Sequence, residues 1–239
     1  MNTVKFEKGS VRVVAHRGLS GIERENTNAA FVAAGNRSYY GIETDIHRTA
    51  DGHFVVNHDA TLERVAGEKI PVEEVSLAIL QGIVLYDKDH TKNRLDLRPG
   101  TLENYISICK KYEKHCVLEL KSDFTDGEIA EIIGIISELD YLEQVTFISF
   151  TYENLTKIRS VLPQQSAQFL FSKITDEIVE RVIADRLDVD VKHTALTREA
   201  VDALHAAGLK VNCWTVDDKE AAEALALMGV DYITTNILE

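Results

Sequence analysis

Cysteine is scarce in this chain of 239 residues: there are three, Cys109, Cys116 and Cys213. An odd number without metal-like spacing excludes a disulfide framework and a thiolate zinc site. It reads as a set of reduced, mostly buried thiols in a cytosolic protein. No run of 18 apolar residues occurs, so no membrane-spanning helix is expected. The opening residues, Met1 to Lys8, lack the apolar centre of a secretory leader, and the expected location is cytoplasmic. Positive charge is also short, with 26 Lys and Arg against 39 Asp and Glu and a net charge of −13. Such a surface repels a polyphosphate backbone, which argues against nucleic acid as a partner. The acidic excess by itself means solubility. It does not exclude a small anionic ligand, because a bound cation with Arg17 and Lys121 reverses the local field. No Gly-x-Gly-x-x-Gly turn marks a dinucleotide site, and no linker, repeat or low-complexity tract interrupts the chain.

What is present is an alternation. Short apolar runs at 11–15, 41–46, 116–120, 144–149, 167–170, 189–191, 211–214 and 232–235 read as strands. Amphipathic stretches at 27–36, 102–114, 127–139, 152–162, 176–185, 198–207 and 219–228 read as helices. Thr151, Thr175 and Thr197 stand where N-caps belong, and Gly208 and Gly229 where helices stop. Eight strands with helices between them, in a chain of ordinary globular composition, predict an α/β fold: a closed TIM (β/α)8 barrel forming one domain over 1–239. Only four residues follow the last strand, so the eighth helix is missing or atypical. Residues 52–98 are the irregular part. The Asp51-Gly52 turn and a short strand at 54–57 predict a hairpin with the end of the second strand, followed by a small insertion or lid beside the barrel mouth.

The polar residues that break the strand pattern cluster at strand ends, where a barrel builds its site. Glu43 and Asp45 are two apart on one strand and share a face. Side by side in a dry site they need a cation, and oxygen ligands suit magnesium, calcium or manganese rather than zinc. Alone, the pair reads better as a solvated strand end. Glu119 and Lys121 repeat the spacing and either complete a three-carboxylate set or form a structural ion pair. In His16-Arg17-Gly18 the glycine lets backbone approach a ligand, and the guanidinium can hold phosphate oxygens through two parallel hydrogen bonds. His16 and His58 both follow strands and titrate near neutrality, as a general acid and a general base must. His47, His53, His90, His115, His193 and His205 lack such context and read as structural. Glu25-Asn26-Thr27 reads as a helix N-cap that shapes the mouth. Trp214, the only tryptophan, is either core or an apolar wall for a substrate, and Phe150 raises the same question.

Taken in order, His16-Arg17-Gly18, Glu25-Asn26-Thr27, Gly41-Ile42-Glu43-Thr44-Asp45, Asp51-Gly52 through His58-Asp59, Glu119-Leu120-Lys121, Trp214-Thr215-Val216 and 229–236 resemble the glycerophosphodiester phosphodiesterases over residues 11 to 236. The resemblance implies a barrel with an insertion after its second strand. It implies hydrolysis of a small-molecule glycerophosphodiester to glycerol 3-phosphate and an alcohol, with no nucleic acid and no stable membrane insertion. It implies one divalent metal ion, magnesium, calcium or manganese, on Glu43, Asp45 and Glu119. His16 and His58 become the acid–base pair and Arg17 and Lys121 the phosphate contacts; Trp214 is kept beside them as a substrate-binding candidate on its own residue reading. A lyase acting on lysophospholipid or sphingomyelin and releasing a cyclic phosphate is the rival reading; a non-catalytic barrel is disfavoured because every polar position is intact. Three departures from the family pattern, Arg24, Asn236 and the stretch 62–67, are expected not to touch the chemistry.

Overall fold

The computed structural model describes residues 2–239. Its strands are β1 (Arg12–Ala15), β2 (Gly41–Arg48), β3 (Phe54–Val56), β4 (His115–Leu120), β5 (Val145–Ser149), β6 (Ala167–Phe171), β7 (Asp188–Lys192), β8 (Val211–Trp214) and β9 (Tyr232–Thr235). Its helices are α1 (Asn28–Gly35), α2 (Glu63–Ala66), α3 (Leu77–Gly82), α4 (Leu102–Lys111), α5 (Asp126–Glu138), α6 (Tyr152–Val161), α7 (Asp176–Ala184), α8 (Arg198–Ala206) and α9 (Lys219–Met228). Every strand but β3 is parallel to its neighbours, and β1 pairs with both β9 and β2, which closes the barrel. The predicted TIM barrel is the observed fold. β3 folds back antiparallel on the end of β2, pairing Ile46 with Val56 and Arg48 with Phe54.

The period of two along each strand divides its side chains between two cores. Val13, Ile42, Leu118, Phe147, Val189 and Val211 point outward and pack under the helices. Val14, Val117, Ile148 and Leu170 point inward and form a smaller apolar plug. Parallel strands buried on both faces are hydrophobic throughout, except where the inward positions reach the C-terminal mouth. There they become Glu43, Asp45, Glu119 and Trp214.

Helix starts follow the sequence with one exception. Thr175 and Thr197 accept from the backbone N–H of Ile178 and Ala200, as N-caps do. Thr151 occupies the N-cap position of α6 but turns its hydroxyl to Asp123 Oδ1 at 2.9 Å instead. α9 ends on Gly229 in the left-handed conformation, φ 95°.

Among the described residues no helix follows β9. The last residues meet the N-terminal segment, with Val4 N donating to Ile237 O at 3.1 Å and Glu239 N donating to Val4 O at 2.8 Å. The Glu239 carboxylate accepts from Ser38 N at 2.8 Å and from the Thr3 hydroxyl at 2.5 Å. The segment after β3 holds α2, α3 and its own apolar cluster, built on Val55, Leu62, Val65, Val72, Leu80 and Leu97. Arg24 ties it to the barrel mouth by donating to the carbonyls of Tyr86 and Asp87. No helix among the described residues is long and apolar enough to cross a membrane.

Candidate active site

The chain leaves β1 through His16 and then turns sharply, with Arg17 at φ 55° and Gly18 at φ 74°. A Cβ on Gly18 would lie 2.7 Å from Ala30 Cβ, so only glycine lets α1 pack this close. The turn aims Arg17 N at Glu43 Oε2, 2.7 Å away. Asn26, also left-handed at φ 55°, donates to Asp45 Oδ2 at 2.7 Å and accepts from the Thr44 hydroxyl at 2.8 Å. Two non-glycine residues held in this region cost on the order of 1 kcal/mol each, strain that a built site retains. Thr27 is the N-cap of α1, as the sequence implied; Glu25 and Asn26 beside it face the site.

Glu43, Asp45 and Glu119 are all buried, and one carboxylate oxygen from each lies within 4.8 Å of the others. Burial, followed by the charge of Asp45, pushes Glu43 well above the usual carboxylate range. The same two causes push Glu119 up to about 8. Asp45 goes the other way: burial raises it, but Arg17, Lys121 and His58 outweigh that and hold it down. Lys121 Nζ lies 2.9 Å from Glu119 Oε1 and 3.6 Å from Asp45 Oδ1, and Arg17 Nε 3.5 Å from Asp45 Oδ2. Asp45 Oδ1 is buried without a hydrogen-bond donor. Three convergent carboxylates, one with an unsatisfied oxygen and two resisting ionisation, fit a hard divalent cation.

His16 Nδ1 lies 2.8 Å from Asn236 Oδ1. The Asn236 amide donates to Asp217 Oδ2 at 2.6 Å, and its backbone N donates to Asp217 Oδ1 at 2.7 Å. Those bonds turn its oxygen toward the imidazole, so Nδ1 carries the proton and Nε2 the lone pair. Burial and the charge of Arg17 push His16 down to about 4. Asn236 is expected to lie apart from the chemistry; the structure corrects this, because β9 pairs with β1 in a register, Thr235 beside Ala15, that puts Asn236 next to His16.

His58 Nδ1 pairs with Asp59 Oδ1 at 2.7 Å, and Asp59 Oδ2 accepts from Arg64 Nε at 2.7 Å. Arg64 then grips both oxygens of Glu25, at 2.7 and 2.9 Å, and Glu25 accepts from Arg17 Nη1 at 2.8 Å. Arg64, from the departing stretch 62–67, therefore also reaches the site, by linking the His58 loop to the Arg17 turn. Burial lowers His58, and Asp45 and Asp59 partly restore it. His47 stays structural: it bonds Glu73 at 2.8 Å and the carbonyl of His58 at 3.3 Å.

These groups converge on one cavity of about 90 Å³, lined by His16, Arg17, Glu43, His58, Glu119 and Trp214 among others. Asp45 and Lys121 join through their contacts with Arg17 and Glu119. Phe150, half exposed, meets Trp214 edge-on at 5.8 Å. The Trp214 ring N–H donates to Asp190 O at 3.2 Å. Sequence reasoning singled out eight side chains, and the structure brings all of them to one end of the barrel. It missed Asp59, Arg64, Asp190, Asp217 and Asn236 as neighbours of the chemistry. Only Asp59, next to His58, carried a local signal.

Two imidazoles tie acid stability to this burial. Burial pushes His115 down to about 4 as well, far from the mouth, where it bonds Thr146. Folded His16 and His115 refuse protons that the unfolded chain accepts between about pH 6.5 and 4. Stability therefore falls as pH falls through that window. Thermal unfolding across it should show the melting temperature dropping, with a shallower slope in His115→Gln; an unchanged slope in that variant overturns the assignment for His115.

The chain matches the model of the "Glycerophosphoryl diester phosphodiesterase family" over residues 16–239. It is 30% identical to a glycerophosphodiester phosphodiesterase of Caldanaerobacter subterraneus subsp. tengcongensis, covering 94% of this chain and 93% of that protein. It is 25% identical to a glycerophosphodiester phosphodiesterase of Bacillus subtilis, over 95% of this chain and 83% of that one. Among solved structures, an Oleispira antarctica phosphodiesterase in complex with the product sn-glycerol-3-phosphate superposes with a TM-score of 0.86 at 26% identity, over 94% and 92% of the two chains. An acidic trio, two imidazoles and two cations at the mouth of a closed barrel thus accompany a match over nearly the whole chain, and this protein belongs to the glycerophosphodiester phosphodiesterase family of enzymes.

Proposed function

We propose that this chain hydrolyses glycerophosphodiesters to sn-glycerol 3-phosphate and an alcohol, by way of a cyclic phosphate, with His16 and His58 as its proton-transfer pair. The observation that carries this is the shared cavity, which both imidazoles line together with Glu43 and Glu119 of the acidic trio. The product named for the Oleispira antarctica relative supports the choice of substrate.

Glu43, Asp45 and Glu119 would hold one divalent ion, magnesium, calcium or manganese. When bound, it supplies charge to screen the phosphate and to acidify a substrate hydroxyl. Charge balance supports this set. Ionised as ligands, three carboxylates facing Arg17 and Lys121 carry one net negative charge, which a divalent ion would turn to one positive and a phosphodiester monoanion would then neutralise. Arg17 and Lys121 orient the phosphate oxygens. His16, with Nε2 free and a neutral amide behind it, takes the proton of the neighbouring glycerol hydroxyl. The hydroxyl oxygen bonds to phosphorus, the bond to the departing alcohol breaks, and His58, backed by the Asp59 carboxylate, gives that alcohol a proton. Water then opens the cyclic ester with the roles reversed. Trp214 and Phe150 wall the mouth. Residues 1–239 act as one catalytic domain, 52–98 forms its rim and carries His58, and the site of action is the cytoplasm.

The test is release of sn-glycerol 3-phosphate from glycerophosphocholine and glycerophosphoethanolamine, first with chelator and then with each ion restored. Metal-restored release is the expected result. A cyclic phosphate that accumulates from a lysophospholipid, with no turnover of the soluble diesters, overturns the reading in favour of a lyase.

A further inference from the structure

Asp190 is the one strongly buried charged group of the cavity that the mechanism leaves unused. It stands on β7, in register with Leu170 of β6 and Asn212 of β8. Lys192, two residues further along β7, pairs with Trp214. Asp190 therefore lies one layer deeper in the barrel than Trp214, whose ring N–H bonds the Asp190 main-chain carbonyl and closes over it. The residue is 2% exposed, lines the cavity beside Ile148, Leu170 and Thr234, and its Oδ1 has no hydrogen-bond partner. The nearby buried polar groups are already engaged with one another: Asn212 donates to Gln168, and the Thr234 hydroxyl donates to Asn212. A buried carboxyl without a partner keeps its full desolvation penalty, which a purely structural residue has no reason to carry.

Resting on the phosphodiester reading above, we infer that Asp190 is the specificity group for the glycerol half of the substrate, binding the terminal hydroxyl that lies farthest from the phosphate. The acidic trio and Arg17 fix the phosphate near β1, β2 and β4, so the deep end of the cavity is left for the part that is the same in every substrate. Its walls suit a short polyol: Ile148 and Leu170 meet methylene carbons, and one carboxyl meets one hydroxyl. Burial, with Glu119 nearby, drives the Asp190 carboxyl well above the usual range. A neutral carboxyl both donates and accepts, as a hydroxyl does. The same feature argues against an ammonium headgroup in this place, since a neutral acid is a poor counter-ion. The subsite selects deacylated glycerol: a fatty acyl ester on that hydroxyl removes its proton and overfills the space.

The experiment compares glycerophosphocholine with the analogue lacking only that terminal hydroxyl, propane-1,2-diol phosphocholine, and with glycerophosphoglycerol, whose head is uncharged. Wild type should prefer glycerophosphocholine to the deoxy analogue by about 10–100-fold in kcat/KM, since a site built for a hydroxyl rejects a ligand that leaves its polar group unpaired. Asp190→Leu should bring that ratio close to one. Asp190→Asn, which keeps a donor and an acceptor, should retain most of it. Folding gives a second readout: Asp190→Leu should raise the melting temperature of the free enzyme, whereas a structural role lowers it. An unchanged ratio in Asp190→Leu overturns the assignment, and so does a loss confined to choline and ethanolamine diesters that spares glycerophosphoglycerol. Failure of wild type on every diester strikes the phosphodiester reading itself, and the melting comparison then judges Asp190 alone.

Discussion

Replacing His16 or His58 by alanine should lower kcat/KM on glycerophosphocholine by about 10²–10⁴-fold, the usual worth of a positioned proton-transfer group. The two losses should not multiply, because one imidazole moves a proton only in a reaction that needs the other. The double variant should fall near the weaker single one. The folded state should survive: removing the His16 ring deletes a bond to Asn236 but also removes a buried imidazole held far below its usual basicity. Steady-state kinetics with melting curves of each variant check both parts. Near-normal turnover in either variant, with protein folded as in wild type, removes that histidine from the mechanism. Asn236→Asp sharpens the test. A carboxylate in place of the neutral amide favours the protonated imidazole, so the acid limb of the pH–rate profile should move to higher pH.

The second large effect concerns the acidic trio. Glu43→Gln should abolish metal-restored turnover and also the thermal stabilisation that the ion confers. Saturation at about 100 times Kd stabilises a folded protein by about 2.7 kcal/mol, and for a chain of this length each kcal/mol is about 2–4 °C in Tm. Wild type should therefore gain several degrees on metal addition and Glu43→Gln should gain little. In chelator the order reverses. Without the ion, burial and Asp45 already force Glu43 to resist ionisation, so a neutral isostere relieves the crowding and the variant should melt no lower than wild type. Melting curves in chelator and in each ion settle it; a full metal-induced shift in Glu43→Gln takes Glu43 out of the ligand set.

The barrel and the eight candidate side chains were legible in the sequence for a physical reason. Strand alternation dictates which positions face inward, and at β2 and β4 the inward residues near the mouth are carboxylates and a lysine, types that a solvent-free interior does not tolerate without partners. Glu43, Asp45, Glu119 and Lys121 therefore stand out by their type and by their period. The capping threonines were readable in the same way, since N-cap chemistry lies within four residues. Thr151 failed that reading because a residue from another loop, Asp123, competes for its hydroxyl.

The groups that tune the chemistry were hidden because their partners are distant in the chain. His16 and Asn236 are separated by 220 positions and Glu25 and Arg64 by 39, and no local pattern reports such a pairing. Asp190 sits within an apolar strand, and only closure of the barrel leaves it buried, unpaired and turned to the cavity. The sequence by itself determined the fold class and marked the acidic trio, the two histidines and the two cations as candidates, because local periodicity and residue type make them stand out and the family resemblance implies their roles. Tertiary structure alone decided which nitrogen of each histidine meets the cavity, how the charges are balanced and where a hydroxyl can be bound, because those depend on distances between strands that meet only when the barrel closes.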